Sequence, residues 1–486
     1  MSDREFREAG HELVDRIADF LASIRARPVT PAETPGEVRD ALDAGRTLPE
    51  LGADPRELVR EAAGLVFDHS LLNGHPRFYG YITSSAAPIG MLADFLAAAV
   101  NSNCGAWKLA PMATEMESQA IRWIAQLLGY PADCGGLLVS GGNMANITCF
   151  FAARAAKAGW DLRREGVAGG PRLCAYASRE THTWIQKAAD LAGLGTESLR
   201  WIAVDKKQRI DLAALEAQCR RDIGEGRRPF LVVGSAGTVS TGAVDPLPEL
   251  ASFCHERGLW FHVDGAYGAF AAGAEGAPDG MSGMALADSV AVDPHKWLYA
   301  PLEAGCALVR EPALLRNAFS YHPPYYKFDV EAINYFDYGP QNSRGFRALK
   351  VWLALRHAGA AGYRRMIGDD IALARRLFEL ASDHPELEAI THNLSITTFR
   401  YVPGDLRASV DSEQTEAYLN KLNEQLQLAI EKSGEAFFSN AVVGGKYALR
   451  LCIVNFRTTL EDIEALPALV VRLGREVHAE LSATRT

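Results

Sequence analysis

Lys296 stands in "SVAVDPHKWLYAPLEAG", residues 289–305, between a histidine and a tryptophan and just after a short apolar run. Asp293 and His295 are close by, but Trp297, Leu298, Tyr299 and Leu302 follow at once. Such a lysine is either a structural residue whose stem lies along apolar neighbours or an amine kept for chemistry. Apolar surroundings make an amine easier to deprotonate, as a Schiff-base lysine requires. Other stretches carry chemistry of different kinds. Asp264 ends the apolar run of "WFHVDGAYGAF". A carboxylate there needs a cationic or hydrogen-bonded partner; a protonated pyridine nitrogen would be one, and a helix start is the plainer alternative. In "VSGGNMANITCF", Ser140, Gly141, Gly142 and Asn143 join a strand to a helix. Small residues let a ligand approach the backbone, and free N–H groups at a helix start suit a phosphate, although a structural turn has the same composition. His182 in "ASRETHTWIQKAAD" is either incidental surface or a ring to lie on a planar cofactor. In "VGSAGTVSTGAVDP", Thr238 or Ser235 could hydrogen-bond a ligand.

Each signal is weak alone. Together they supply a phosphate cradle, a stacking ring, an acid for a pyridine nitrogen and a lysine for an imine, the parts pyridoxal 5′-phosphate needs as an electron sink. No GxxxxGK[ST] motif occurs, nor a GxGxxG after a strand, so nucleotide motifs do not explain the glycines. Eight scattered cysteines form no CxxC pair, which leaves metal and dithiol chemistry unsupported and no metal site expected.

These residues must be placed by the elements around them. "GGLLVS", "RLCAYAS", "FLVVGSAG", "WFHVDGAY", "SVAVD" and "GCALVR" read as buried strands, with helices such as "NMANITCFFAARAAKAG" and "PLPELASFCHERG" between them. That alternation predicts an α/β domain on a mostly parallel sheet, whose ligands bind beyond the strands' carboxyl ends. Before it, Leu13, Val14, Ile17, Phe20, Leu21 and Ile24 give an amphipathic helix with little mass of its own to bury against. After a glycine- and aromatic-rich region a helix is expected from about 343 to 358. Beyond 365 the chain alternates helix and strand, with "ITTFRYV" and "YALRLCIVNF" the clearest strands.

The 486 residues carry a net charge of −10 and no long basic run, which argues against nucleic acid as a partner. The start lacks the apolar core of a secretory signal. No window approaches the roughly 18 apolar residues of a membrane span; "IGMLADFLAAAV" is short and carries Asp94. A cytoplasmic protein with reduced thiols is expected.

The chain resembles the fold-type I, group II pyridoxal-phosphate-dependent decarboxylases, the family of aromatic-L-amino-acid and glutamate decarboxylases. The resemblance enters at "HPRFYGYITS" and "APMATEMESQAIRWIAQLLGYP", centres on "HVDGAYG" and "DPHKWL", and continues through "SRGFRALKVWLALRHAG" to "LRLCIVNFRTT". It implies an N-terminal helical segment (1–75) clasping a second subunit, a large cofactor-binding α/β domain (76–360) with a seven-stranded sheet, and a small C-terminal α/β domain (361–486). By position, Lys296 resembles the imine-forming lysine, Asp264 the pyridinium partner and His182 the stacking ring. Gly142 and Asn143 match the phosphate-holding positions, and His295 a histidine near phosphate and imine. Two departures stand out. Val239 follows Thr238 where the family often has a second hydroxyl, and Asp293 replaces the asparagine of animal members.

The implied activity is decarboxylation of an aromatic L-amino acid to an amine and CO2, in a homodimer with shared active sites. The alternatives are oxidative, aldehyde-forming decarboxylation, an acidic or diamino substrate, or a silent scaffold. Counted back from "FRALK", Tyr335 falls at the family's mobile-loop tyrosine, a general acid for the carbanionic carbon. Tyr325, Tyr326, Phe328, Phe336 and Tyr338 accompany it, with Gly339 as a hinge. "NSNCGAWKLAP" resembles a segment that helps line the partner subunit's substrate pocket, in which Trp107 suits an aromatic substrate and Gly105, replacing a bulky residue, enlarges or reshapes the pocket. Tyr81 and Thr83 resemble another part of that pocket.

Overall fold

The computed structural model describes residues 1–321, 332–410 and 412–483. Its main sheet has seven strands: β1 Gly135–Val139, β2 Leu173–Ser178, β3 Leu199–Ile202, β4 Arg228–Ser235, β5 Trp260–Asp264, β6 Ser289–Val292 and β7 Gly305–Val309. Their order is β1-β7-β6-β5-β4-β2-β3. The pairs from β6 through β5, β4 and β2 to β3 are parallel, and β7 runs antiparallel to both β6 and β1. Strands β1, β2, β4, β5 and β6 therefore all end at one edge. Every residue of β1, β2, β5, β6 and β7 is buried. Helices cover both faces of a parallel sheet, which is why these strands read as continuous apolar runs.

Two compact units emerge. One contains Ile82–Arg375 and Thr391–Thr397; the other contains Met1–Tyr81, Arg376–Ile390 and Thr398–Thr486. The N-terminal segment belongs to the second of these units. In its unit Val29 N–H donates to Gly434 O and Tyr79 N–H to Phe437 O, both at 2.9 Å. Val29, Phe78 and Phe437 share an apolar cluster. The helix Asp3–Ser23 lies on Pro55–Asp68, where Phe20 and Phe67 stack with centroids 4.3 Å apart. The helix Ala348–Asp383 runs on past a break in its geometry at Gly359.

A second sheet has four strands, β8 Leu387–Asn393, β9 Ile396–Tyr401, β10 Ser439–Val443 and β11 Lys446–Cys452, in the order β10-β11-β9-β8. Among the described residues, no helix is long and apolar enough to cross a membrane.

Candidate active site

The carboxyl edge of the main sheet gathers the polar residues. Beyond β6 the chain turns tightly: Lys296 N–H donates to Asp293 O at 2.9 Å, and Tyr299 N–H to Lys296 O at 3.1 Å. The apolar residues after Lys296 point into the core, where Trp297, Leu298 and Tyr299 are buried. The Trp297 indole and the Tyr299 hydroxyl both donate to Asp370 Oδ2 at 2.8 Å. The ring of Tyr267 stacks on Trp297 at 4.8 Å. Neighbours on both sides thus anchor the lysine's backbone. Its side chain keeps 18% exposure, and Nζ lies 3.0 Å from Asp293 Oδ2. The other Asp293 oxygen, Oδ1, is buried without a hydrogen-bond partner. A buried carboxylate oxygen left this way is costly, and a ligand or water donor would relieve it.

Asp293 faces the start of the helix Gly142–Lys157. A Cβ on Gly142 would stand 2.5 Å from Asp293 Oδ2, so only glycine fits here. Asn143 follows in the first helical turn, half-buried and without a recorded hydrogen bond. His295 packs beside this start: Nδ1 lies 2.7 Å from Ala304 O, and Nε2 lies 3.8 Å from Asp293 Oδ2. Nδ1 therefore carries the proton, and burial holds the imidazole's pKa below its usual value.

Asp264 closes β5 with both oxygens in use. Trp184 Nε1 donates to Oδ2 at 2.7 Å, while Asn146 Nδ2 and Ala266 N–H reach Oδ1 at 3.3 and 3.2 Å. All these donors are neutral, and no described cation pairs with this nearly buried carboxylate. A protonated ring nitrogen would supply the missing charge. His182, beyond β2, takes a backbone hydrogen bond on Nδ1 from Trp184 at 3.3 Å. Partial burial lowers its pKa, and Asp264 and Lys296 are both within electrostatic reach of it. The fold therefore brings Lys296, Asp264, His182, His295, Gly142 and Asn143 to one edge.

Other expected residues fall elsewhere. The Thr238 hydroxyl, 2% exposed, accepts from Ala243 N–H at 3.1 Å and lies 3.1 Å from Thr241 Oγ1. These bonds hold it in its own turn. Tyr335 is 1% exposed, in a short 3-10 turn, Tyr335–Asp337. The Arg344 guanidinium lies 4.7 Å from its ring centre and Tyr338 meets it edge-on at 6.0 Å. It is a packed, buried residue beside the Arg344–Glu117 ion pair. Tyr325, Tyr326 and Phe328 lie outside the described residues.

Gly105 does not enlarge a pocket either. The backbone carbonyl of Asn342 occupies the space a Cβ would need. Phe336 N–H donates to Gly105 O at 2.9 Å, and Trp107 N–H to Asn334 Oδ1 at 3.1 Å. The half-buried Trp107 sends its indole N–H to Glu115 at 2.9 Å. Tyr81, 60% exposed with φ 50°, is fixed through its backbone by Ser439 and Arg450. Thr83 has a buried hydroxyl without a partner, as does Ser85. Between them Ser84 donates to His295 O at 2.7 Å, so this segment borders the lysine turn. Sequence reasoning missed Ser84, Ser85, Trp184 and Asn146. Asn146 had a usable signal, an amide one turn after Gly142 in an otherwise apolar helix.

Comparison with known proteins agrees with this geometry. Residues 44–402 match the family model of the pyridoxal-dependent decarboxylase conserved domain. The aromatic-L-amino-acid decarboxylase of Bacillus atrophaeus is 35% identical, over 98% of this chain and 97% of its own length. A phenylacetaldehyde synthase of a Rosa hybrid cultivar is 30% identical, over 95% of this chain and 92% of its own. Among solved structures, Catharanthus roseus tryptophan decarboxylase in complex with L-tryptophan superposes with a TM-score of 0.88 at 27% identity, covering 98% of this chain and 99% of that one. Mouse CSAD gives a TM-score of 0.91 at 27% identity, with the same coverage. The chain belongs to the pyridoxal-dependent decarboxylases. Its fold is the fold-type I architecture, its cofactor is pyridoxal phosphate, and its reaction class is that of an amino-acid carboxy-lyase.

Proposed function

We propose that the chain decarboxylates an aromatic L-amino acid and releases the amine. The supporting observation is the pair of unfinished carboxylates at the sheet edge, Asp264 without a cation and Asp293 with one orphaned oxygen. They flank the one lysine of the "DPHKW" turn. Lys296 would hold the cofactor covalently through Nζ, and Asp264 would hold its ring nitrogen. His182 would lie on the ring, while Gly142, Asn143 and His295 would line its phosphate end. When bound, the cofactor supplies the electron sink for the bond to the departing carboxylate. Asp293 keeps the Lys296 amine near the reacting centre. Its neighbour His295, with Nδ1–H fixed on Ala304 O, offers Nε2 as an acceptor. The partnerless hydroxyls of Thr83 and Ser85 offer donors at the lysine turn. Trp107 and Tyr81 remain the side chains proposed for an aromatic substrate.

The reading includes a homodimer. The helix Pro88–Val100 exposes Leu92, Phe95, Leu96 and Val100, and the helix Asp3–Ser23 exposes Phe6 and Val14. Apolar faces of this kind are normally covered by another surface. All eight cysteines are free, which fits a reducing compartment such as the cytoplasm. Turnover of a panel of aromatic, acidic and diamino acids, with CO2, amine and peroxide measured together, tests the proposal. CO2 and amine in equal amounts from an aromatic substrate are expected. Aldehyde with peroxide, or turnover confined to glutamate-like substrates, would overturn it.

A further inference from the structure

The carboxylate of Asp264 is the last member of a longer line of buried polar groups. Trp260 Nε1 donates to Ser289 Oγ at 2.8 Å. Ser289 Oγ lies 2.8 Å from His262 Nδ1, and His262 Nε2 lies 2.7 Å from Asn146 Oδ1. Asn146 Nδ2 then lies 3.3 Å from Asp264 Oδ1. The amide end sets the direction of the line. Asn146 Nδ2 donates to the Gly142 carbonyl at 2.9 Å as well as to Asp264, so Oδ1 faces His262 and accepts from Nε2–H. In the neutral imidazole Nδ1 is then the acceptor, and the Ser289 hydroxyl, which accepts from Trp260 Nε1–H, donates to it.

The line crosses three elements. Trp260, His262 and Asp264 alternate along one face of β5, Ser289 begins β6, and Asn146 lies on the helix Gly142–Lys157. His262 and Ser289 are 0% exposed and Asn146 and Trp260 1%. Apolar residues would fill such a place at lower desolvation cost. Each dipole instead points its positive end toward Asp264, an arrangement in which hydrogen bonds strengthen one another.

We propose that His262, with Ser289 and Asn146, forms a positioning relay that holds Asp264 ionised and in one rotamer, so that it keeps the cofactor's ring nitrogen protonated. This rests on the reading of Asp264 as the ring-nitrogen partner. The relay does not touch substrate; it acts through Asp264.

The holoenzyme loaded with ¹⁵N-labelled pyridoxal phosphate tests it, with the ring-nitrogen resonance followed against pH alongside kcat and KM. His262→Phe cuts the line. The ring nitrogen should lose its proton about one pH unit lower or more, the scale of one hydrogen bond to a charged group. kcat should fall about tenfold with KM unchanged, as when an outer partner of a ligating group is removed. His262→Gln can still donate to Asn146 and accept from Ser289, and should restore most of both. A His262→Phe enzyme with wild-type titration and kcat overturns the relay. So does a glutamine variant no better than phenylalanine, which would mean a packing role. Should phenylalanine not fold, Ser289→Ala decides: the titration must move the same way, and an unmoved one overturns the proposal. Asp264→Ala separates the two levels. If it leaves the resonance unchanged, the reading of Asp264 fails and the relay with it; if it alters the resonance while His262→Phe does not, only the relay fails.

Discussion

Two of the buried charge clusters in the unit built on the main sheet differ in how complete they are. At the end of β1, Arg344 and Glu117 are each 1% exposed and paired through both guanidinium nitrogens. Arg344 also donates to Cys104 O at 3.0 Å and Leu138 O at 2.7 Å, and Glu117 accepts from Leu138 N–H at 2.8 Å. Only the arginine's Nε is left without a partner. Near β6, among the described residues, Lys296 has a single partner in Asp293, whose second oxygen has none, and no cation pairs with Asp264 nearby. The carboxylates are buried in both, although Lys296 keeps 18% exposure. What separates a structural charge cluster from a site is spare bonding capacity: the first is closed on its own chain, and the second is unfinished until a ligand arrives.

The largest effect should come from the open cluster. Lys296→Ala removes the amine that pairs with Asp293 at that edge, so the yellow absorbance of lysine-bound cofactor should vanish and turnover fall to a trace. Full activity in this variant would remove the comparison's functional half. The closed cluster should respond in the opposite way. Arg344→Met leaves Glu117 buried and unpaired, and should destabilise the fold by about 3–5 kcal/mol. Urea unfolding of the cofactor-free protein reads this directly. A loss below about 1 kcal/mol, the usual worth of an exposed pair, would show that the cluster is not the closed structural unit described.

Acid should reach the open cluster first. Burial lowers the pKa of both His182 and His295 from 6.5, so the folded chain binds fewer protons there than the unfolded chain does. Stability from these groups is therefore present above about pH 6.5 and is lost as pH falls below it. Asp245 opposes the trend, because burial raises its carboxyl to about 6 and the folded chain holds that proton longer. Arg344 keeps its charge throughout, its pKa raised further by Glu117 despite burial. The Tm of the cofactor-free protein should fall between pH 6.5 and 5, and replacing His182 and His295 by glutamine should flatten part of that slope, the rest coming from His75 and His262, whose pKa burial lowers too. An unchanged slope in the double variant would place the titrating groups elsewhere.

Much of this was legible in the residues. Buried parallel strands give unbroken apolar runs, so six of the main strands could be read directly. β3 could not, because "LRWI" lies at the sheet edge with Arg200 half-buried and Trp201 exposed. Lys296, Asp264 and His182 were visible because each is a polar residue out of place at a strand end. The relay behind Asp264 was not, since Ser289, His262 and Asn146 are far apart in sequence and meet only through strand pairing and a helix crossing. The partner of the N-terminal segment could not be read for a similar reason: Gly434, which accepts from Val29 N–H, lies some 400 residues on.

Tyr335 gives the finest test of the contrast, because it was expected in the open cluster and is found against the closed one. A proton donor for the reacting carbon must reach it and exchange its own proton with solvent or another group. Tyr335 has its face under Arg344 and its edge against Tyr338, and burial raises its phenol well above the usual range. Its recorded contacts are made by the ring, and phenylalanine preserves the ring and its attraction for the guanidinium. Tyr335→Phe should therefore change stability by no more than about 1 kcal/mol. It should leave amine formation within about twofold of wild type, a barrier change of under 1 kcal/mol, with no added peroxide. Amine, CO2 and peroxide measured together under air read the outcome. If amine falls while oxygen consumption rises, the phenol does reach the reacting carbon, and packing against a closed ion pair does not exclude a residue from the chemistry.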